Sequence, residues 1–271
     1  MRRFPPERIV CLTEETVETL YLLGEDQRIV AVSGYAVRPP RVRREKPRVA
    51  AFISADIARI LALQPDLVLT FSDLQADIAR DLVKAGVTVH AFNQRDVAGI
   101  LAMVRMLGAM VGAEEKAAAL AADLERRLAD VRARAQQLPH RPRVYFEEWD
   151  EPMICGIAWV SELIAIAGGT DVFADKARGP AAAGRVVSAD EVIAAAPDVI
   201  VGSWCGKKFV ASRLAGRPGF GGVPAVRAGE LHEIKSPLIL QPGPAALTDG
   251  LAALEAIIRN VAHHCATKSG R

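Results

Sequence analysis

Tyr35, Phe71, Trp149 and Trp204 are the side chains best suited to hold a flat apolar ligand, because each follows a short apolar run that reads as a strand. Only 5% of residues are Phe, Trp or Tyr. Four of them at matching strand ends in both halves of the chain point to a binding edge, since ligands of open α/β sheets bind at the C-terminal strand ends. For any one of the four, the competing reading is a plug that closes the end of a core. Trp159 lies in the first turn of a predicted helix and either joins them or packs inward. Glu147, Glu148 and Asp150 flank Trp149 and offer acceptors to a polar ligand, or paired carboxylates for proton transfer. A solvated acidic loop is the commoner explanation of such a run.

Signatures of catalysis fail on spacing. No G-x-G-x-x-G follows a strand, and Gly108 and Gly112 sit within or at the end of a helix. The segment GSWCGKK, residues 202–208, has too short a glycine spacing for a phosphate loop, and no Ser or Thr follows its lysines. G-x-S-x-G and H-E-x-x-H are absent. His90, His140 and His232 are isolated, and each reads as a surface or structural histidine. Cys11, Cys155, Cys205 and Cys265 form no C-x-x-C pair, so neither a disulfide framework nor a metal site is expected. His263, His264 and Cys265 have the donors to capture a metal, but at the chain's end they are read as a neutral tail. The chain is therefore expected not to be an enzyme and to need no catalytic cofactor. Cys155 and Cys205, near the predicted binding edge, keep one alternative open: an intracellular enzyme or carrier.

These residues must be positioned by alternating strands and helices. Residues 8–12 form a strand, after which Thr13 caps a helix with Glu14 and Glu15 in its first turn and Gly24 at its end. Residues 28–35 give a second strand. A stretch rich in Arg and Pro follows, from Arg38 to Arg48, without aromatic residues for base stacking, and reads as a solvated loop. Ser54 then caps a helix with Ile57, Ile60 and Leu61 inward, Pro65 breaks it, and residues 67–70 form a strand. A helix ending at Gly86, a strand over 87–92 and an apolar helix over 98–111 complete the first half.

Residues 114–138 carry Ala117, Leu120, Leu124, Leu128, Val131, Ala135 and Leu138 at steps of three and four, the spacing of one apolar helix face. Asp123 with Arg127 and Asp130 with Arg134 form favourable i,i+4 pairs on the other face. At 1.5 Å per residue the helix spans roughly 37 Å. Beyond Pro139 the cycle restarts: Ser188, Ala189 and Asp190 match Ser54, Ala55 and Asp56, and Pro197-Asp198 matches Pro65-Asp66. A late strand over 231–234 and a closing helix over 245–262 follow. The expected fold is α/β: two Rossmann-like lobes with parallel sheets, residues 1–112 and 140–271, joined by one long backbone helix at 113–139, with a cleft between the lobes.

Composition narrows the function further. The net charge of +2 over 271 residues gives no general attraction to nucleic acid, and no run approaches the ~20 apolar residues needed to insert in a membrane. Pro5, Pro6 and Glu7 stand where a secretory apolar region would lie, so no export signal is read.

The runs RIVCLTEETVETLYLLGEDQRIVAVSGYAVRPP, SADIARILALQPDLVLTFSDLQADIARDLVKAGVTVHAF and VSELIAIAGGTDVF resemble the periplasmic cobalamin-binding proteins of ABC importers. These are class III substrate-binding proteins, the helical-backbone metal-receptor group that also takes up siderophores and haem. The resemblance spans nearly the whole chain, with ALQPDLVLT and ELIAIAGG its most specific parts. EEWDEPMICGIAWVSELIAIAGG and GSWCGKKF resemble a bacterial subgroup described as cobalamin-binding. By this resemblance the ligand is cobalamin or a related corrinoid, a small-molecule macrocycle, and the alternative is another metal chelate such as haem or a ferric siderophore. Thr13, Glu14, Glu15, Tyr35, Phe71 and Ser72 would face it from lobe one. Trp149, Ile154 and the segment 236–244 with Gln241 would face it from lobe two, and the strand-end reading above adds Asp150, Trp159 and Trp204. The resemblance also implies an ABC permease as partner, docked through acidic knobs on the outward tips of both lobes, where this chain departs by offering Asp73 and Asp77 near Gln75 but no glutamate; it further implies a periplasmic location, and a monomeric state is expected. The unread export signal makes a cytoplasmic location the alternative.

Overall fold

Five short apolar runs in the first half pair into one sheet, since strands this apolar must be covered on both faces. In the computed structural model, which describes residues 4–179 and 181–269, they are β1 (Ile9–Cys11), β2 (Ile29–Ser33), β3 (Arg48–Ala50), β4 (Leu67–Phe71) and β5 (Val89–Phe92). Arg2 and Arg3, the basic residues that open the chain, lie outside the described residues. The order is β3-β2-β1-β4-β5 with every neighbour parallel. Val10, Ala31, Val49 and Val68 meet Ile60 and Leu82 of the covering helices in one core.

Local expectations change in three places. The Arg/Pro stretch is no solvated loop: it holds the helix Val42–Glu45 and β3, with Val42 and Val49 buried beneath its charges. Lys46 donates to the Asp26 and Ile29 carbonyls at 2.7 and 2.9 Å, an inward role that charge patterning cannot reveal. The helix Ile57–Ala62 is capped by Asp56, which accepts from the Arg59 N–H at 2.9 Å. Ser54 is instead used by the turn after β3, its carbonyl accepting from the Ala51 N–H, and Leu61 is exposed. Thr13 stands at the N-cap of the helix Glu14–Leu23, but its hydroxyl caps no backbone group and donates to Glu15 at 2.7 Å. Gly24 ends that helix with a φ of 73°, the left-handed turn for which glycine is best suited.

The second half forms a sheet from β6 (Arg143–Asp150), β7 (Met153–Cys155), β8 (Thr170–Asp171), β9 (Val199–Gly202) and β10 (Leu231–Glu233). Its order is β10-β9-β6-β7, with β8 also on β6, and all pairs are parallel except the antiparallel β6–β7 hairpin. The Pro-Asp match between the halves is a structural one. Asp66 accepts from the Glu7 and Arg8 N–H groups while the Arg8 guanidinium reaches the Leu63 carbonyl. Asp198 likewise accepts from the Arg143 N–H while Arg143 reaches the Ala195 carbonyl. In each half an aspartate thus ties the first strand to the start of a later one.

The long helix spans Glu114–Ala135. The chain divides into two compact units, one running through Gln94 and including Ala98–Leu124, the other holding Arg95–Val97 and everything from Glu125, so the division falls inside this helix. Ala117, Ala121, Leu124, Leu128 and Val131 are its buried stripe. Arg134, expected to pair with Asp130, makes its hydrogen bonds to Glu255 of the closing helix Leu251–Ser269, at 2.6 and 3.0 Å. Within the first unit the helix Val97–Met110 lies so close to the long helix that a Cβ on Gly108 would stand 2.1 Å from the Ala117 Cβ. Gly108→Ala therefore forces the two helices apart, and chemical denaturation is expected to show a loss of about 1–3 kcal/mol. Among the described residues no helix is long and apolar enough to cross a membrane.

Candidate functional site

Because the first sheet is wholly parallel, all five of its C-terminal strand ends lie along one edge, and its strand order reverses between β1 and β4. A crevice opens at such a reversal. Gln75 stitches the loops together there: its side chain accepts from the Phe71 N–H at 3.0 Å and donates to the Leu12 and Phe52 carbonyls at 3.1 and 2.8 Å. Ser72 adopts a φ of 60° and accepts from the Leu74 N–H. Around this buried knot three apolar side chains face outward, Tyr35 at 51% exposure after β2, Ile53 at 71% after β3 and Leu74 at 58% after β4.

The β1 loop contributes buried polar and titratable groups instead of an apolar surface. Thr13, Glu14, Glu15 and Thr16 are all buried. Burial pushes the Glu14 carboxyl up to about 7, with only its own backbone N–H opposing. Glu15 is pushed up to about 8 by burial and then by the Glu14 charge, against the Thr13 hydroxyl and its own N–H. At neutral pH Glu15 thus stays mostly protonated and Glu14 about half so, and a protonated carboxyl can donate as well as accept hydrogen bonds.

In the second unit the reversal lies between β6 and β9. The acids around Trp149 are not a solvated loop but the end of β6, and each has a cationic partner. Glu147 meets Arg217, Glu148 receives two guanidinium nitrogens of the buried Arg185, and Asp150 receives Lys207 at 2.7 Å with Arg213 at 3.4 Å. Burial works against the Asp150 charge, but Lys207 and Arg213 outweigh it and hold the carboxyl below its ordinary value. Trp149 is half-buried and pairs across the hairpin with Ile154, with the Lys207 ammonium 3.8 Å from its ring centroid. Val186 and Val210 are exposed.

The predicted aromatics therefore divide. Tyr35 is outward and Trp149 half outward. Phe71 is buried at the end of β4. Trp204 is buried with Tyr145 and Phe209 in the second core, its indole N–H on Glu147 at 2.8 Å. Trp159 is buried as well, donating to the Ile239 carbonyl at 2.8 Å. Both tryptophans have taken the core-plug role, because each indole finds its acceptor inside. Thr13, Glu14, Glu15, Phe71 and Ser72 gather at the first sheet's reversal; Trp149, Asp150 and Ile154 gather at the β6–β7 hairpin, and Asp150 is buried beneath its exposed cations Lys207 and Arg213. Gln241 is half-buried just after the short helix Ser236–Ile239. Sequence reasoning missed Ile53, Leu74 and Gln75; an isolated Ile or Leu in a loop carries no signal until its exposure is known. Asp77 is 84% exposed and shares its charge with Arg80 at 2.6 Å. Burial pushes the Cys155 thiol up to about 12, which disarms it as a nucleophile.

A family model described as periplasmic binding protein matches residues 9–238. The vitamin B12-binding protein of Vibrio cholerae serotype O1 is 32% identical over 178 residues, 64% of this chain and 63% of that protein, so the chain spans a little less than two thirds of it. The crystal structure of the periplasmic vitamin B12 binding protein of Vibrio cholerae superimposes with a TM-score of 0.77 at 25% identity, covering 96% of this chain and 99% of that one. A periplasmic heme-binding protein from Roseiflexus sp. RS-1 gives 0.79 at 25% identity, covering 93% and 99%.

Proposed function

This chain belongs to the periplasmic binding protein family, and on that premise we propose that it captures a cobalamin-like corrinoid at the C-terminal edges of its sheets for delivery to an ABC permease. The observation that carries the reading is the outward set Tyr35, Ile53 and Leu74. Large apolar side chains gathered at one sheet edge lose the benefit of burial unless a ligand covers them. A corrin is broad, flat, apolar on its faces and fringed with amides. On the first unit Tyr35 would stack on such a ring, Ile53 and Leu74 would cover its faces, and Glu14 and Glu15 would bind its amides; on the second unit Trp149 and Gln241 offer contacts of the same kinds. The similarity to vitamin B12-binding proteins supports the choice of ligand. Capture, not catalysis, is the role, and the place of action is the outer side of the cytoplasmic membrane. The permease would dock on acidic tips that include Asp73 and Asp77.

The second reading, haem or another metal chelate at the same edges, is favoured by the equal likeness to the Roseiflexus protein. Tryptophan fluorescence during titration with cyanocobalamin, cobinamide, haem and a ferric siderophore separates the two. Saturable quenching at one equivalent is expected with both corrinoids, and Tyr35→Ala should weaken it about 5- to 10-fold, the loss of one stacked ring. Quenching by haem alone would transfer the proposal to the second reading; quenching by none would end it.

A further inference from the structure

Away from the proposed ligand edges, at the opposite end of the second sheet, folding collects three side chains of different chemistry. His140 lies just before β6, Asp198 just before β9, and Cys265 on the closing helix. The His140 Nε2 is 3.6 Å from Asp198 Oδ2, and the ligand atoms of all three residues lie within 4.8 Å of one another. Beside them is a cavity of about 290 Å³, whose walls include Asp198, Arg227, Glu230, His264 and Cys265. Glu230 accepts from His232 at 2.8 Å and meets His264 at 3.1 Å, which adds a second negative charge beside the single positive charge of Arg227.

We propose that His140, Asp198 and Cys265 bind a divalent cation of the zinc type. One imidazole nitrogen, one carboxylate oxygen and one thiolate sulfur make a donor set of mixed softness, which suits Zn²⁺ and disfavours Mg²⁺ or Ca²⁺. Zinc bonds of about 2.0–2.3 Å in tetrahedral geometry require donors closer together than 4.8 Å. The exposed His140 side chain is free of strand and helix and can move in to close the set. Water from the cavity completes the fourth position. On binding, the Cys265 S–H proton leaves to solvent and a metal–sulfur bond forms, so affinity rises with pH. The ion would pin the closing helix to the loops that open β6 and β9, stabilising the second unit, because the unfolded chain holds these ligands far apart. Sequence spacing concealed the set, with 58 residues from His140 to Asp198 and 67 more to Cys265.

The test uses the full chain stripped with a chelator and titrated with Co²⁺, then Zn²⁺. A near-ultraviolet thiolate-to-cobalt band should saturate at one equivalent and be bleached by equimolar Zn²⁺. Cys265→Ser should abolish the band, His140→Ala should weaken Co²⁺ binding at least 10-fold, and Cys205→Ser should leave it unchanged. Zn²⁺ should raise the melting temperature of the parent but not of Cys265→Ser. The proposal is overturned if no band saturates at one equivalent, if the band follows Cys205 instead of Cys265, or if His140→Ala binds as the parent does.

Discussion

Replacing Arg217 with alanine is expected to destabilise the folded chain by about 3–5 kcal/mol, measured by urea denaturation at pH 7. Its partner Glu147 lies in β6 with 0% of its surface exposed. Glu147 accepts from the Tyr145 hydroxyl at 2.9 Å, from the Trp204 indole at 2.8 Å and from both terminal nitrogens of Arg217, one at 2.9 Å. Burial works against the Arg217 charge, but Glu147 outweighs it and keeps the guanidinium protonated. Burial, and after it the Glu147 charge, raise the Tyr145 phenol well above its ordinary value, so it stays a donor. Removing Arg217 leaves a carboxylate in the core with two neutral donors and no counter-charge. The double variant Glu147→Gln with Arg217→Met should recover most of the loss, since an uncharged core needs no compensation. A loss below about 1 kcal/mol in Arg217→Ala would contradict this account.

Stability is expected to fall as pH rises from about 4.5 to about 8, through Glu14 and Glu15. Both carboxyls titrate higher in the folded chain than the ordinary 4.5, at about 7 and about 8. Between those limits the folded state holds more protons than the unfolded one, so raising pH favours unfolding. A shift of this size corresponds to a decline on the order of 3 kcal/mol per group. His90, whose imidazole burial holds below its ordinary value, works in the opposite sense just below pH 6.5. The informative measurement is therefore the difference between parent and Glu14→Gln or Glu15→Gln. Each amide variant should match the parent near pH 4.5 and exceed it at pH 8, and parallel stability curves across that range would refute the assignment.

Much of the frame was legible in the residues themselves. The alternation of apolar runs with capped amphipathic segments forecast the parallel sheets, and Gly24 marked a helix end that the backbone realises with a left-handed turn. The repeated Pro-Asp pair was visible as a match, although its role, an aspartate clasping the first strand's N–H groups, was not. At the candidate edge Tyr35 was legible. Gln75 was not, because a glutamine in a polar loop looks like any other until three loops converge on it.

Periodicity is a local property, so helices, strands and the family resemblance could be read from residues adjacent in the chain. Pairing is not local. Whether Trp204 faces a ligand or the core depends on Glu147, 57 residues earlier, and whether the acids of β6 are solvated depends on Arg185, Lys207 and Arg217. Only the crossovers of the α/β fold bring those groups within hydrogen-bond range, and buried charge persists only where they do. Residue type and spacing thus determined the architecture of this protein. Tertiary structure decided which side chains are buried against a partner and which are left facing outward.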